Sequence, residues 1–187
     1  MTLAARRPAT YADIQALPEH LIGELVAGEL VVSPRPAPPH ALGATALGAT
    51  LLPPFQFGDG GGPGGWWILI EPELHLNGDV LVPDLAGWRR ERLPVVPTDA
   101  FITAAPDWVC EVLSTSTSRH DRTKKLPIYA HNGIPHLWLL DPLNETLETY
   151  RLERGHWVLL ATHGSEDVVR AEPFEVVEIE LKRFWGR

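Results

Sequence analysis

The stretch WWILIEPELHLNGDVLVPDLAGW, residues 66–88, holds two strand-like runs around Asn77-Gly78. Asn-Gly between apolar runs is a strong hairpin signal, because both central residues of the tight turn need positive φ. With those two at the turn, Leu76 pairs with Asp79. Counting outward sets Glu73 opposite Val82 and Glu71 opposite Asp84. Side chains alternate along a strand, so Glu71, Glu73, His75, Val82 and Asp84 share one face, and Leu74, Leu76 and Leu81 share the other. Carboxylates facing each other across a ladder destabilise it. A buried carboxylate is costly unless paired, hydrogen-bonded or metal-bound. Two readings explain the acidic face: it is solvated, or a hard cation such as Mg²⁺ cancels the repulsion. The hairpin alone leaves both open.

The following segments sharpen the question. PDWVCEVLS, 106–114, has the length and composition of a buried strand, and Glu111 sits in its centre. Charged residues are rarely fully buried without a partner. A salt bridge at the edge of the core is the plain explanation and a functional site the sharper one. STSTSRHDRTKKLPIY then supplies Arg119, Arg122, Lys124 and Lys125, the densest basic patch in an acidic chain. DRTKKLPIYAHNG, 121–133, predicts a helix with Asp121 as N-cap, Gly133 past its end and a kink at Pro127. Asp121 and Lys125 fall i,i+4 on one helix face, with Tyr129 a turn further.

The rest of the chain frames these pieces. Its 187 residues suit one ordinary domain, read here as 10–187 behind a flexible arm, 1–9. A chain this long buries roughly 70% of its unfolded surface, so it needs no disulfide or metal staple. A short helix is expected over 11–17, a hairpin around Ala27-Gly28, and a proline-rich connector at SPRPAPP. HALGATALGATLL, 40–52, reads as a helix with Gly43 and Gly48 marking close packing. HLWLLDP reads as a second buried strand, TLETYRLERGHWVLLA as a hairpin turning at Arg154-Gly155, and the tail as strand then short helix. The net charge of −8, from 16 Lys and Arg against 24 Asp and Glu, argues against a protein that coats nucleic acid non-specifically. A single cysteine, Cys110, forbids an internal disulfide and suits a reducing cytoplasm. The start has no apolar run after its arginines, so no signal peptide is read there. No apolar stretch is long enough to span a membrane.

Other chemistries find no support. The glycine-rich segment 56–65 lacks the Lys-Ser or Lys-Thr of a phosphate loop. The eight histidines fall into no HExxH pattern, and one cysteine cannot build a thiolate zinc site. No GxSxG is present; Ser114, Ser116 and Ser118 read as turn caps. Cys110 alternates with Glu111 and faces the core. Trp66, Trp67, Trp108 and Trp138 read as core, while Trp88 and Trp185 are minor candidates for a dimer interface.

A Pro-Asp at the end of one strand, a Glu in the next and a nearby Lys resemble the PD-(D/E)XK nucleases. More narrowly, GELVAGELVVSPRPAPPH, VPDLAGW, EVLSTSTSRHDRTKKLPIYAHNGIPHLWLLDP and EIELKRFW resemble the Uma-two family of bacterial endonucleases, over roughly residues 10–185. The resemblance implies a restriction-endonuclease-like α/β fold: a central mixed sheet flanked by helices, with an added N-terminal hairpin. It implies Mg²⁺, with Mn²⁺ as a substitute, held by Asp84 and Glu111 with Glu71, and catalysis by Asp84, Glu111, Lys125 and Glu73. The superfamily's usual lysine lies two residues after the strand glutamate, where this chain has Leu113. Lys125 is the displaced match and Lys124 its close rival. Glu24, His40 and Asp121 are accessory candidates, and Arg119 and Arg122 candidates for flanking phosphates. The substrate implied is DNA and the assembly a homodimer, in a bacterial cytoplasm. Two further readings stand beside it: an inactive nuclease-like binding module or scaffold dimer, and a metal-dependent hydrolase of small phosphoesters.

Overall fold

The computed structural model describes residues 7–186. A short helix, α1 (Tyr11–Gln15), precedes a tight hairpin of β1 (Ile22–Val26) and β2 (Glu29–Ser33). Ala27 and Gly28 turn it with φ of 52° and 80°, as the sequence predicts. Prolines 38 and 39 open α2 (Pro38–Leu51), where the missing N–H groups cost nothing. The strands β3 (Trp66–Ile70), β4 (Leu74–Leu76), β5 (Asp79–Leu81), β6 (Leu85–Arg89) and β7 (Trp108–Val112) follow. A helical run comes next: α3 (Ser118–His120), a π-helical turn Asp121–Lys125, and α4 (Leu126–His131). Then come β8 (His136–Asp141), β9 (Thr146–Glu153) and β10 (His156–Gly164), the short pair β11 (Val168–Val169) and β12 (Ile179–Glu180), and a 3₁₀ turn, Leu181–Phe184.

The predicted hairpin register holds along its whole length. Leu76 faces Asp79 and Leu74 faces Leu81, while further out Ile70 faces Leu85 and Trp66 faces Arg89. The hairpin does not stay in one sheet. Its tip, β4–β5, joins β2–β1 in a four-stranded sheet ordered β2-β1-β5-β4. Its base, β3 and β6, belongs to a six-stranded sheet ordered β10-β9-β8-β7-β6-β3. The bend between them falls at 71–73 and 82–84, where Glu71 takes a φ of 49° and its N–H still donates to Asp84 O at 3.0 Å. The acidic residues therefore sit where the ribbon leaves one sheet for the other.

In the larger sheet β7 and β8 run parallel and every other neighbour is antiparallel. The result is a mixed sheet flanked by helices. Both faces are covered, which is why β7 and β8 read as continuous apolar runs. On one face α2 brings Leu47 and Leu51 against Ile68, Leu85, Cys110, Val112, Trp138 and Leu140. Gly43 permits the approach: a Cβ there would meet Pro142 at 3.1 Å, Leu140 at 3.3 Å and Val112 at 3.4 Å. The other face packs Ala86, Trp88, Val109, Leu137 and Leu139 with Tyr129 and Ile134. Alternation along β7 puts Glu111 on this second face, under the helical run.

Several expectations need correction. Residues 1–6 of the expected arm lie outside the described ones, but 7–9 are engaged: Arg7 pairs with Asp13 at 2.6 Å and Ala9 N–H donates to Gly28 O. Asp121 is not an N-cap, because the helix starts three residues earlier and buries it. Pro127 is not mid-helix in effect. The π turn ends just before α4, leaving the proline in α4's first turn, where its missing N–H is tolerated. Trp88 is not at an interface: it is 1% exposed in the second core, its Nε1–H donating to Ala104 O. Trp67 is only half buried, beneath the Arg90 guanidinium.

Candidate active site

Glu24, Glu111, Asp121 and Lys125 are all buried, and they meet. Lys125 Nζ lies 2.9 Å from Glu24 Oε1, 3.3 Å from Glu111 Oε1 and 3.7 Å from Asp121 Oδ1. Three separate elements deliver these groups: β1, β7 and the helical run. The π turn matters here. Four residues of α-helix overshoot one turn, so positions i, i+4 and i+8 drift around the axis. A π turn closes a wider loop, advances less per residue and cancels the drift. Asp121, Lys125 and Tyr129 therefore all face the sheet, and Tyr129 donates its hydroxyl to Glu111 Oε1 at 2.5 Å.

Two fixed backbone donors complete the placement. Val82 N–H donates to Glu24 Oε1 at 2.7 Å, and Val112 N–H donates to Asp84 Oδ2 at 2.7 Å. The second bond ties Asp84 to the residue after Glu111. Asp84 Oδ1 is 3.2 Å from His40 Nε2 at the start of α2. A cavity of about 500 Å³ opens over the group, lined by Glu24, His40, Glu71, Asp84, Glu111 and Lys125 among others.

Three carboxylates thus surround one ammonium, and Asp84 lines the same cavity beside them. Burial is the largest influence on Glu111 and lifts its carboxyl well above the usual range; Lys125 opposes this, and Asp121, Asp84 and Glu24 add to it. Burial likewise lifts Asp121 against the pull of Lys125. Burial works against the charge on Lys125, but Glu111, Glu24 and Asp121 outweigh it and hold the amine above its ordinary range. His40 is raised too: burial works against its charge, and Asp84 overcomes it with help from Asp121 and Glu71.

The remaining candidates separate. Lys124 is exposed, so Lys125 is the lysine of the cluster. Glu71 lines the cavity from an exposed position. Glu73 points elsewhere, accepting from Tyr11 and contacting His75 Nε2, each at 2.8 Å. Arg122 is held by both oxygens of Glu148 at 2.8 Å and lines a different hollow beside α4. Arg119 is exposed and outside the cavity lining. The sequence reading left Tyr129 out of the site, although its i+4 spacing from Lys125 was the available signal. It also passed over His120, which lines the cavity with a buried Nε2 that has no partner among the described residues. His40 Nδ1 is in the same condition.

The sequence profile of the Uma2 family, described as "Putative restriction endonuclease", matches residues 9–182. The chain belongs to the Uma2 family. A solved structure similar to this Uma2 chain is a protein from Anabaena variabilis ATCC 29413, described as a "putative nuclease belonging to DUF820". It aligns at 20% identity with a TM-score of 0.70, over 95% of this chain and 98% of that one. The likeness establishes a shared fold. No curated protein matches this Uma2 chain.

Among the described residues no three Asp, Glu, His or Cys side chains gather into a metal cage, so Glu71 does not close one with Asp84 and Glu111. Mg²⁺ does not require such a cage. It commonly takes one or two carboxylates and completes its octahedron with waters and substrate phosphates. Asp84 and Glu111, oxygen donors in a cluster with more negative charge than one ammonium offsets, fit that demand.

Proposed function

We propose that this chain is a divalent-cation-dependent endonuclease that hydrolyses phosphodiester bonds in DNA. The observation that carries the reading is the cluster itself. Lys125 is locked among Glu24, Glu111 and Asp121, while Asp84 is anchored on the Val112 N–H. A structural ion pair needs one carboxylate, and burying three around one ammonium is unfavourable unless more positive charge arrives.

Asp84 and Glu111 would hold Mg²⁺, or Mn²⁺ in its place. When bound, such an ion lowers the pKa of a water and offsets phosphate charge. The protein's own groups do the rest. The 3.7 Å Lys125–Asp121 contact is too long for a hydrogen bond, so the N–H on that side is free to turn toward a water or a phosphate oxygen. Lys125 thereby orients the attacking water or stabilises charge developing on phosphorus. His40, held by Asp84, stands beside the same oxygens. Tyr129 and the Val82 N–H fix Glu111 and Glu24, so little reorganisation accompanies reaction.

The homodimer expected from the resemblance belongs to this proposal, as does a cytoplasmic setting. No helix among the described residues is long and apolar enough to cross a membrane. The net charge of −8 favours a second reading, in which the same cluster hydrolyses a small phosphoester inside the cavity. Plasmid nicking in Mg²⁺ and Mn²⁺ tests the proposal, with wild type beside Asp84→Ala and Glu111→Gln. Nicking by wild type alone supports it. Nicking by all three proteins indicates a contaminant. Hydrolysis of p-nitrophenyl phosphate without nicking moves the conclusion to the small ester.

A further inference from the structure

A phosphodiester brings negative charge into a cavity whose floor is already acidic, so a cation outside the floor has to receive it. Lys125 is held by Glu24 and Glu111 and has only the N–H facing Asp121 to turn toward the reacting phosphate, with none left for a neighbouring one. One wall of the cavity is the loop Ser114–Thr117, which at first sight offers hydroxyl donors. Ser114 Oγ lies 3.0 Å from both Ser116 Oγ and Thr117 Oγ1 and accepts from the Thr117 N–H, so these hydroxyls are engaged with one another and bring no positive charge.

The connector from β2 to α2, Ser33–Ala37, also lines the cavity, and it carries Arg35. Arg35 is exposed and has no acid within ion-pair reach among the described residues, whereas Arg7, Arg92, Arg122, Arg151, Arg170, Lys182 and Arg183 are each tied to one. Pro34 and Pro36 flank it. Each fixes its own φ and restricts the residue before it, so the backbone under Arg35 is stiff and little chain entropy is lost when the side chain is held. A guanidinium is permanently charged and matches two phosphate oxygens with a planar fork.

We propose that Arg35 receives a backbone phosphate of the polynucleotide, next to the one being cleaved, and so sets how the strand enters the cavity. This rests on the nuclease reading and adds a contact that neither the family pattern quoted above nor the acidic cluster supplies. Arg35 replaces Arg122 in that role, because Arg122 is bound to Glu148 and lies over another hollow.

The test is fluorescence anisotropy of a short labelled DNA strand and its duplex, in Ca²⁺ to hold cleavage off, for wild type, Arg35→Ala and Arg35→Lys. It is paired with Mg²⁺ cleavage kinetics. Arg35→Ala is expected to bind roughly 10-fold or more weakly, as loss of a charged hydrogen-bonded contact implies. Its plot of log affinity against log salt should be shallower by about 1. Arg35→Lys recovers part of the affinity, and in cleavage KM rises while kcat holds. Arg35→Ala binding like wild type, with Asp84→Ala still abolishing cleavage, overturns this proposal and leaves the nuclease standing. Weakened binding by Arg35→Ala without metal-dependent cleavage by wild type keeps the phosphate contact and overturns the nuclease. Wild type that binds neither strand overturns both.

Discussion

Lys125 Nζ and Glu24 Oε1 stand 2.9 Å apart, joining the middle of the helical run to the first strand of the N-terminal hairpin. Both side chains are about 6% exposed. The pair therefore links the four-stranded sheet to the helical run that covers the six-stranded one, through buried charges. Removing the ammonium leaves Glu24, Glu111 and Asp121 facing one another without compensation. Lys125→Met is expected to cost about 3–5 kcal/mol of stability in metal-free protein, the range for breaking a buried pair from one side. Adding Glu24→Gln to Lys125→Met should return part of that loss. Urea denaturation of the two variants beside wild type checks it, and a double variant no more stable than the single would contradict this account of the cluster.

The lysine has a second possible origin. Leu113 lies two residues after Glu111, just past β7, and is 3% exposed on the Glu111 side of the sheet. An ammonium from that position would approach the same carboxylates along the strand instead of from the helix. The pair Leu113→Lys with Lys125→Met is expected to recover a measurable fraction of the cleavage that Lys125→Met loses. A folded double variant with no activity above Lys125→Met would show that the direction of approach matters as much as the charge.

Why the sequence revealed so much of this site follows from the kinds of interaction involved. Asn77-Gly78 sets a register by local turn geometry, and that register placed Glu71 opposite Asp84 correctly. Glu111 was conspicuous because a charge inside an apolar run breaks a local pattern. Glu73 misled because alternation was extended across a bend. Once β4–β5 leave the sheet of β3 and β6, residues two apart no longer share one face, and Glu73 turns to Tyr11 and His75. The role of Asp121 depended on where the helix begins and on a π turn, neither of which spacing reports. Arg122 looked free because its partner Glu148 is on β9, distant in sequence and adjacent only after folding.

Arg122 and Glu148 also shape the response to pH. The Arg122 guanidinium holds the Glu148 carboxyl below its ordinary range, while burial, with Glu148 beside it, pushes the Tyr150 hydroxyl up to about 12. A depressed carboxyl contributes stability that is present above its unfolded pKa and is lost as pH falls through the folded one. A raised phenol contributes stability that is present below its unfolded pKa, near 10, and is lost as pH rises through about 12. Glu148→Gln should therefore lower Tm by a constant amount between roughly pH 6 and 9, and by less below about pH 4. Circular-dichroism melts across that range measure it. A difference that grows toward acid would mean that the pair does not stabilise the fold.

Packing of α2 on the sheet also holds the geometry of the candidate site. Gly43 lets α2 lie on β7 and β8, and α2 also carries His40 to Asp84, which in turn rests on the Val112 N–H of β7. The helix, the strand and the carboxylate thus form one closed circuit, and the glycine sets its width. A leucine at 43 would drive side-chain atoms into Pro142, Leu140 and Val112, all of them buried. Overpacking of this kind costs about 1–3 kcal/mol. Its further effect should be on chemistry: lifting α2 draws His40 away from Asp84 and loosens that side of the cavity. Gly43→Leu is expected to fold, to melt lower, and to lose more cleavage activity than His40→Ala does alone, because the strand that holds Asp84 shifts as well. Cleavage rates of the two variants at one temperature, well below both melting points, decide it. Equal rates would mean that α2 contributes nothing to the site beyond its histidine.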